Sequence, residues 1–378
     1  MWRLRVFVLV LGLFMVASVS MAQDSASDLP LLPAGLHVGV VFVPSEDATV
    51  QARLDTALME VVQAGSSAYE FALSWADLEK SPGQIDTSAL ESLLDILVLL
   101  KLQPYLSITT INTVKLTLPG DLMTADGYAL SEGRQFDDPV ILERFARLLD
   151  ALVPLMIEHN GFFISVGNEV DGWLESRPEA TPGYVRFTAA ARDYAHQIDP
   201  RLGIGSTLTF GAIQRGWDSI DDLLAASDAA VFTYYPLDSD FSVREPAVVT
   251  EDLALMMEAA GDLPVLFQEV GYPSGYLTSA ANSSSVEKQR EFYERFFNEV
   301  QSYPQVRFIS GFMLSDWTTE VCDLYVRYYT NQDSLPIFHE YLCSLGIMGA
   351  DGLPKLAYDV FLDAIRAIAQ ERSVGASS

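Results

Sequence analysis

Two glutamates end two apolar runs in this chain of 378 residues. Phe162-Phe163-Ile164-Ser165-Val166-Gly167 leads without a gap into Asn168-Glu169-Val170, and Leu263-Pro264-Val265-Leu266-Phe267-Gln268 leads into Glu269. Near-continuous apolar runs suit the buried strands of an α/β fold, and such folds bind ligands beyond the carboxyl ends of their strands. Two carboxyls facing one cleft can break a glycosidic bond. One protonates the leaving oxygen while the other attacks the anomeric carbon or activates water, with retention at a separation of about 5 to 5.5 Å and inversion at roughly 6.5 to 9.5 Å. Glu269 must be ionised to attack, so it needs hydrogen-bond donors, and Tyr234 on the neighbouring strand is the expected one. Glu169 must start protonated, which calls for a less polar setting or for the pressure of the other carboxylate.

The elements that would position this pair follow a regular alternation. Strands are expected over 36–44, 67–74, 103–112, 162–170, 201–208, 229–236, 264–269 and 306–317. Between or after them lie helices over 50–64, 87–101, 139–159, 182–198, 219–226, 249–260, 286–301 and 357–370. The third of these has Pro139 in its first turn and a stripe of Leu142, Phe145, Leu148, Leu149, Leu152 and Met156, the spacing of one buried helix face. Eight strand-helix units predict an α/β fold, a single (β/α)8 TIM barrel with enlarged βα loops, notably 113–138 and 272–285. A doubly wound open sheet would place a Gly-rich phosphate loop after its first strand, and none is present here. In a parallel barrel all the carboxyl ends share one rim, so Glu169 and Glu269, three units apart, are expected to face each other across its mouth. Trp75, Trp173 and Trp317 would offer flat apolar faces to sugar rings there. His37 on the first strand is placed to line the mouth as well, and Gln268, Glu70 and Asp316 also lie near strand ends.

These motifs resemble those of clan A, the retaining glycoside hydrolases whose barrels end strand four in Asn-Glu and strand seven in Glu. The resemblance implies that Glu169 is the general acid/base, that Glu269 is the nucleophile, and that Asn168 holds the sugar's 2-hydroxyl. Val166-Gly167-Asn168-Glu169-Val170 and Glu269-Val270-Gly271-Tyr272-Pro273-Ser274-Gly275 look most like the endo-β-1,3-glucanases, whereas Tyr234-Tyr235-Pro236 is similar to the endo-β-1,4-galactanases. Trp75-Ala76-Asp77-Leu78-Glu79 through Pro82-Gly83 is similar to a strand-two signature found across the clan. One departure stands out. The clan often carries an arginine around strand two, and this chain has none between Ser67 and Glu79.

Composition narrows the setting. With 49% hydrophobic and 20% charged residues the chain is globular, and its formal net charge of −28 repels phosphate backbones and anionic lipid headgroups. A nucleic-acid partner is therefore not expected, and polyanionic saccharides are disfavoured. Arg3 and Arg5 precede an apolar run from Val6 to Val19, and Ser20-Met21-Ala22 supplies small residues for cleavage. Residues 1–22 thus read as a secretory signal and 23–378 as the barrel, in a secreted or periplasmic protein. The apolar core falls short of the ~20 residues of a spanning helix, so no stable membrane insertion is expected after cleavage. Cys322 and Cys343 form one disulfide or remain two free thiols. The four histidines, His37, His159, His196 and His339, show no metal-ligand spacing with them, and neither metal nor cofactor is expected. The expectation is an exported retaining β-glycosidase that cleaves a neutral β-linked oligo- or polysaccharide of β-glucan or galactan type, endo-acting. A non-catalytic carbohydrate-binding barrel is the alternative.

Overall fold

The computed structural model describes residues 32–275 and 283–375. The expected signal, 1–22, lies outside the described residues, as does part of the 272–285 loop. Eight parallel strands close a barrel: β1 (His37–Val40), β2 (Ala68–Ser74), β3 (Gln103–Thr109), β4 (Phe163–Ser165), β5 (Gly203–Gly205, continued by Thr207–Thr209), β6 (Ala230–Tyr234), β7 (Val265–Val270) and β8 (Val306–Gly311). One ladder runs β2-β3-β4-β5 and the other from the second half of β5 through β6, β7 and β8 to β1. Backbone bonds complete the circle. Val170 N donates to Thr207 O between β4 and β5, and Ser67 N donates to Val38 O between β1 and β2.

Eight helices form the outer layer: α1 (Ala48–Ala64), α2 (Ser88–Leu100), α3 (Pro139–Glu158), α4 (Thr181–Ile198), α5 (Ile220–Ala225), α6 (Val249–Ala260), α7 (Val286–Val300) and α8 (Leu356–Gly375). Local chemistry sets their ends. Asp47 accepts from Thr49 N and Val50 N at the start of α1, and Gly65 stops the helix at φ 112°, a left-handed conformation that a side chain would strain. The α7 face of Phe292, Tyr293, Phe296 and Phe297 packs on Tyr234, Phe267 and Phe361.

Side chains alternate along each strand, so one set fills the barrel and the other meets the helices. Ala68, Tyr105, Phe162, Phe163, Ala229, Val231, Leu266 and Phe308 make an apolar plug inside the barrel. Above it the interior turns polar, with Glu70, Ser107, Ser165, Thr207, Gln268 and Ser310 all buried.

Strand ladders are shorter than the apolar runs. The expected strand 162–170 pairs regularly only over Phe163–Ser165, because Gly167 passes close under the Tyr184 hydroxyl and Glu169 takes a positive φ of 49°. The loop 113–138 begins in a hairpin, Ile111–Asn112 with Lys115–Leu116, and includes a single 3-10 turn at Ser131–Gly133. After β8, where the sequence suggested strand as far as 317, the chain instead leaves the ladder at Gly311 and forms two further helices, Thr319–Thr330 and Pro336–Leu342. The first is rich in tyrosine, and Cys322, Tyr325, Val326 and Tyr329 recur on one face at helical spacing. Cys322 and Cys343 tie the pair together through a disulfide, with Cα atoms 5.8 Å apart. Among the described residues no helix is long and apolar enough to cross a membrane.

Candidate active site

Glu169 leaves β4 in its left-handed turn and is held by both oxygens. Thr113 Oγ1, from the hairpin after β3, donates to Oε2 at 2.7 Å, and Thr233 Oγ1 on β6 donates to Oε1 at 2.8 Å. Glu269 ends β7, and the Tyr235 hydroxyl donates to its Oε2 at 2.6 Å. Burial raises the proton affinity of both carboxyls. The two threonines oppose this at Glu169. At Glu269 the charge of Glu169 adds to the rise, while Tyr235 and Gln268 oppose it. Both groups sit half-buried in the mouth, within each other's field, and a shared proton satisfies them better than two charges.

Beneath them Gln268 ties four strands together. Its Oε1 accepts from the Tyr105 hydroxyl (2.9 Å), Ser165 Oγ (3.2 Å) and Thr207 Oγ1 (2.6 Å), and its Nε2 donates to Asn168 Oδ1 at 2.7 Å. Asn168 Nδ2 donates in turn to Asn112 Oδ1 at 3.2 Å. The amide beside Glu169 is thus fixed from two sides, with one amide hydrogen left over for a ligand.

One wall of the mouth is aromatic. Tyr235 meets Phe312 and Tyr341 edge-on at 6.1 and 5.6 Å, and Trp317 stacks on Tyr325 at 4.4 Å. Tyr329 and Tyr341 feel the charge of both glutamates, and together with burial this holds their hydroxyls protonated. Tyr325, Tyr329 and Tyr341 all come from the two helices after β8.

Several expected site residues lie elsewhere. Tyr234 does not support Glu269. Its side chain points out of the barrel, is fully buried among Phe210, Phe292 and Phe296, and donates to Asp252 Oδ2 at 3.0 Å. Strand alternation sends its neighbours Thr233 and Tyr235 to the glutamates instead. Trp75 is fully buried, edge-on to Phe145, with Nε1 donating to Glu79 Oε2 at 2.9 Å, so it has no face for a sugar. The Trp75-to-Gly83 signature is therefore a structural staple here: Glu79 Oε1 also accepts from Gly83 N and from Arg144, whose guanidinium continues to Asp121. Trp173 is buried, its ring covered by the Arg177 guanidinium at 4.4 Å and its Nε1 bonded to Tyr128 O. His37 begins β1 at the amino end of the barrel, opposite the mouth. There it contacts Ser67 Oγ at 2.8 Å, and burial, aided by Arg372, lowers its proton affinity to a pKa of about 4. Trp317 remains on the mouth side and is only partly buried.

Four supporting residues escaped the sequence reading: Thr113, Thr233, Tyr235 and Asp171. Asp171 accepts from Thr209 N and Oγ1 at 2.8 and 2.6 Å, and burial raises its pKa to about 7. Strand parity, counted back from Glu269's neighbours, was the available signal for Tyr235. The expectation that no histidine is spaced to a cysteine also missed a pair: His339 lies four residues before Cys343, and its Nε2 comes within 3.7 Å of that sulfur. Among the described residues Cys322, His339 and Cys343 are the one group with metal-ligand geometry, and the disulfide uses both sulfurs.

The fold is a (β/α)8 barrel with two carboxyls at its strand-end mouth, and solved glycoside hydrolases share that fold. GH5_18 from Streptomyces cattleya, solved in complex with GlcNAc, is similar to this chain with a TM-score of 0.65 and 17% identity over 89% of this chain and 81% of that one. The exo-β-1,4-mannosidase Op5Man5 from Opitutaceae bacterium strain TAV5 gives a TM-score of 0.65 and 17% identity over 93% and 63%. A family 39 glycoside hydrolase from Bacteroides cellulosilyticus WH2 gives 0.57 and 12% over 90% and 64%. No protein-family model and no curated protein sequence matches the chain.

Proposed function

We propose that this protein is a retaining β-glycosidase in which Glu269 is the nucleophile and Glu169 the general acid/base. The observation that carries this reading is the pair itself: Glu169 at the end of β4, held by the Thr113 and Thr233 hydroxyls, and Glu269 at the end of β7, held by the Tyr235 hydroxyl, share one mouth and one field, and their strand-end order is the one in which clan A barrels carry acid/base and nucleophile. Glu269 attacks the anomeric carbon as the glycosidic C–O bond breaks and Glu169 passes its proton to the leaving oxygen. Water then returns a proton to Glu169, its oxygen bonds to the anomeric carbon, and the Glu269 ester breaks. Asn168, held by Gln268 and Asn112, is placed to donate to the sugar next to Glu169.

The substrate of this reading is a neutral β-linked oligo- or polysaccharide, met by the aromatic wall of Trp317, Tyr325 and Tyr329. Likeness to an exo-β-1,4-mannosidase and to a GH5_18 protein solved with Manβ1-4GlcNAc adds β-mannosides to the β-glucans and galactans expected from the motifs. Endo cleavage and export after removal of 1–22 belong to the same proposal. Purified enzyme is to be assayed on β-glucan, galactan and mannan, with product sizes and the anomer of the first product read by NMR. Retention is expected, and turnover is expected to fall by at least about 10³-fold in Glu269→Gln. An inverted first product would sink the mechanism, and unchanged turnover in Glu269→Gln would sink the nucleophile. Mass spectrometry of the mature N-terminus tests the signal.

A further inference from the structure

We propose that Glu70 is a substrate-binding residue of this site: a buried carboxyl on β2 that keeps its hydrogen bonds for a hydroxyl of the sugar held against Glu269. The inference rests on the hydrolase reading above.

Glu70 lies two residues beyond Ala68 of the apolar plug, so it too points into the barrel, and it pairs in register with Tyr105. It is 5% exposed. In this interior layer the polar groups of Tyr105, Ser165, Thr207 and Gln268 satisfy one another. Glu70 does not join them, and among the described residues none donates to or accepts from its carboxyl. Ser310 Oγ on β8 is buried without a partner among the described residues. Between β8 and β2 runs β1, which presents Gly39 in register with Ser310 and so adds no side chain to separate them.

Buried polar groups without partners are costly, so such a place is filled by water or by a ligand. Charge decides what kind. The titratable groups nearest in influence to Glu70 are Glu269 and the Tyr105 hydroxyl, with Tyr69 next to it on the strand but turned to the opposite face. None of them is basic. Burial and the charge of Glu269 therefore hold Glu70 protonated, well above the usual carboxylate range. A neutral acid offers one O–H donor and a carbonyl acceptor, the complement of a sugar hydroxyl, which both donates and accepts.

The test is an enzyme-by-substrate deletion cycle. Wild type, Glu70→Leu and Glu70→Gln are assayed on 4-nitrophenyl β-d-glucoside, β-d-mannoside and β-d-galactoside and on the monodeoxy analogues of whichever is cleaved. The expected result is one deoxy position at which wild type loses about 10–100-fold in kcat/KM, a hydrogen bond's worth. That loss shrinks to within about twofold in Glu70→Leu and returns in Glu70→Gln, which keeps a donor and an acceptor. Equal deoxy penalties in all three proteins overturn the inference and leave the pocket to water. Absence of turnover on every parent glycoside and on β-glucan, galactan and mannan alike sinks the hydrolase reading and this one with it; turnover with unaltered penalties sinks this one alone. Denaturant stability reads the protonation state independently. From pH 5 to pH 8 wild type should lose stability relative to Glu70→Gln, and identical pH dependence overturns the neutral carboxyl.

Discussion

The Tyr235 hydroxyl lies 2.6 Å from Glu269 Oε2, while the hydroxyl of the adjacent Tyr234 is bound on the other side of the barrel wall to Asp252. Two neighbouring tyrosines thus serve opposite faces of one strand end. Tyr235→Phe removes a hydrogen bond to an ionised group, worth about 1.5–3 kcal/mol. We expect kcat/KM to fall about 10–100-fold and the acid limb of the pH profile to move up, since the Glu269 anion loses a donor. Tyr234→Phe leaves Asp252 paired with Arg244 and should keep kcat/KM within about twofold while costing roughly 1 kcal/mol of stability. A pH-rate profile of both variants distinguishes them, and equal losses in the two would refute the division of labour.

That pair also shows what could be read from sequence. The strand ends, the two glutamates and the barrel were legible because apolar runs and helix stripes repeat eight times. The face of each side chain was not. An irregular register between β6 and β7 after Phe232 shifts the pairing by one residue, and a one-residue shift exchanges the inner and outer faces. Trp75 and Trp173 were misplaced for a related reason: tryptophan in a loop above a barrel reads as a sugar platform, yet each ring is buried and its N–H has a hydrogen-bond partner that only the fold reveals. Of the helices that carry Tyr325, Tyr329 and Tyr341, the second spans only Pro336–Leu342, too short for periodicity, while the first does carry a stripe, Cys322, Tyr325, Val326 and Tyr329, that was there to be read.

Stability should fall as pH rises above neutrality. Glu169, Glu269 and Asp171 have folded-state pKa values raised above those of the unfolded chain, Asp171 to about 7. Between the unfolded and folded values the folded state binds more protons, so its stability is lost as pH climbs through the folded values. His37, lowered to about 4, works in the opposite direction, but only below its unfolded value of 6.5. Urea midpoints are therefore expected to drop from pH 6.5 to pH 8, and less so in Asp171→Asn. A midpoint that rises over that interval would contradict the assigned protonation.

Gln268→Leu should damage both stability and activity. It leaves the Tyr105 hydroxyl and Thr207 Oγ1 buried without their acceptor and frees Asn168 from its anchor. A loss of about 3 kcal/mol is expected from the stranded donors. The lower kcat should persist at temperatures where the variant is fully folded by circular dichroism. A variant that is destabilised but fully active would show that Asn168 needs no support from below.

Arg144 and Glu79 form a buried pair at 2.9 Å, 7% and 2% exposed at the side chain. Arg144→Met strands the Glu79 charge beside Trp75 and should cost about 3–5 kcal/mol, whereas Arg144→Met with Glu79→Leu should recover much of it. Chemical denaturation of the single and double variants measures the coupling. Additive losses would mean that the pair is not what holds the signature segment.

The disulfide between Cys322 and Cys343 closes a loop of 21 residues in sequence separation, for which chain entropy gives about 3 kcal/mol. Its effect should reach the mouth of the barrel, because the two helices it joins carry Tyr325, Tyr329 and Tyr341. Tyr341 packs edge-on against Tyr235, the donor to Glu269. Cys322→Ser with Cys343→Ser should therefore lower Tm and also raise KM for longer saccharides, which need the aromatic wall in place. The change in kcat for a small aryl glycoside should be modest, since Glu169 keeps Thr113 and Thr233 and Glu269 keeps Gln268. A lower Tm with unchanged KM across chain lengths would confine the disulfide to stability and separate the wall from substrate binding.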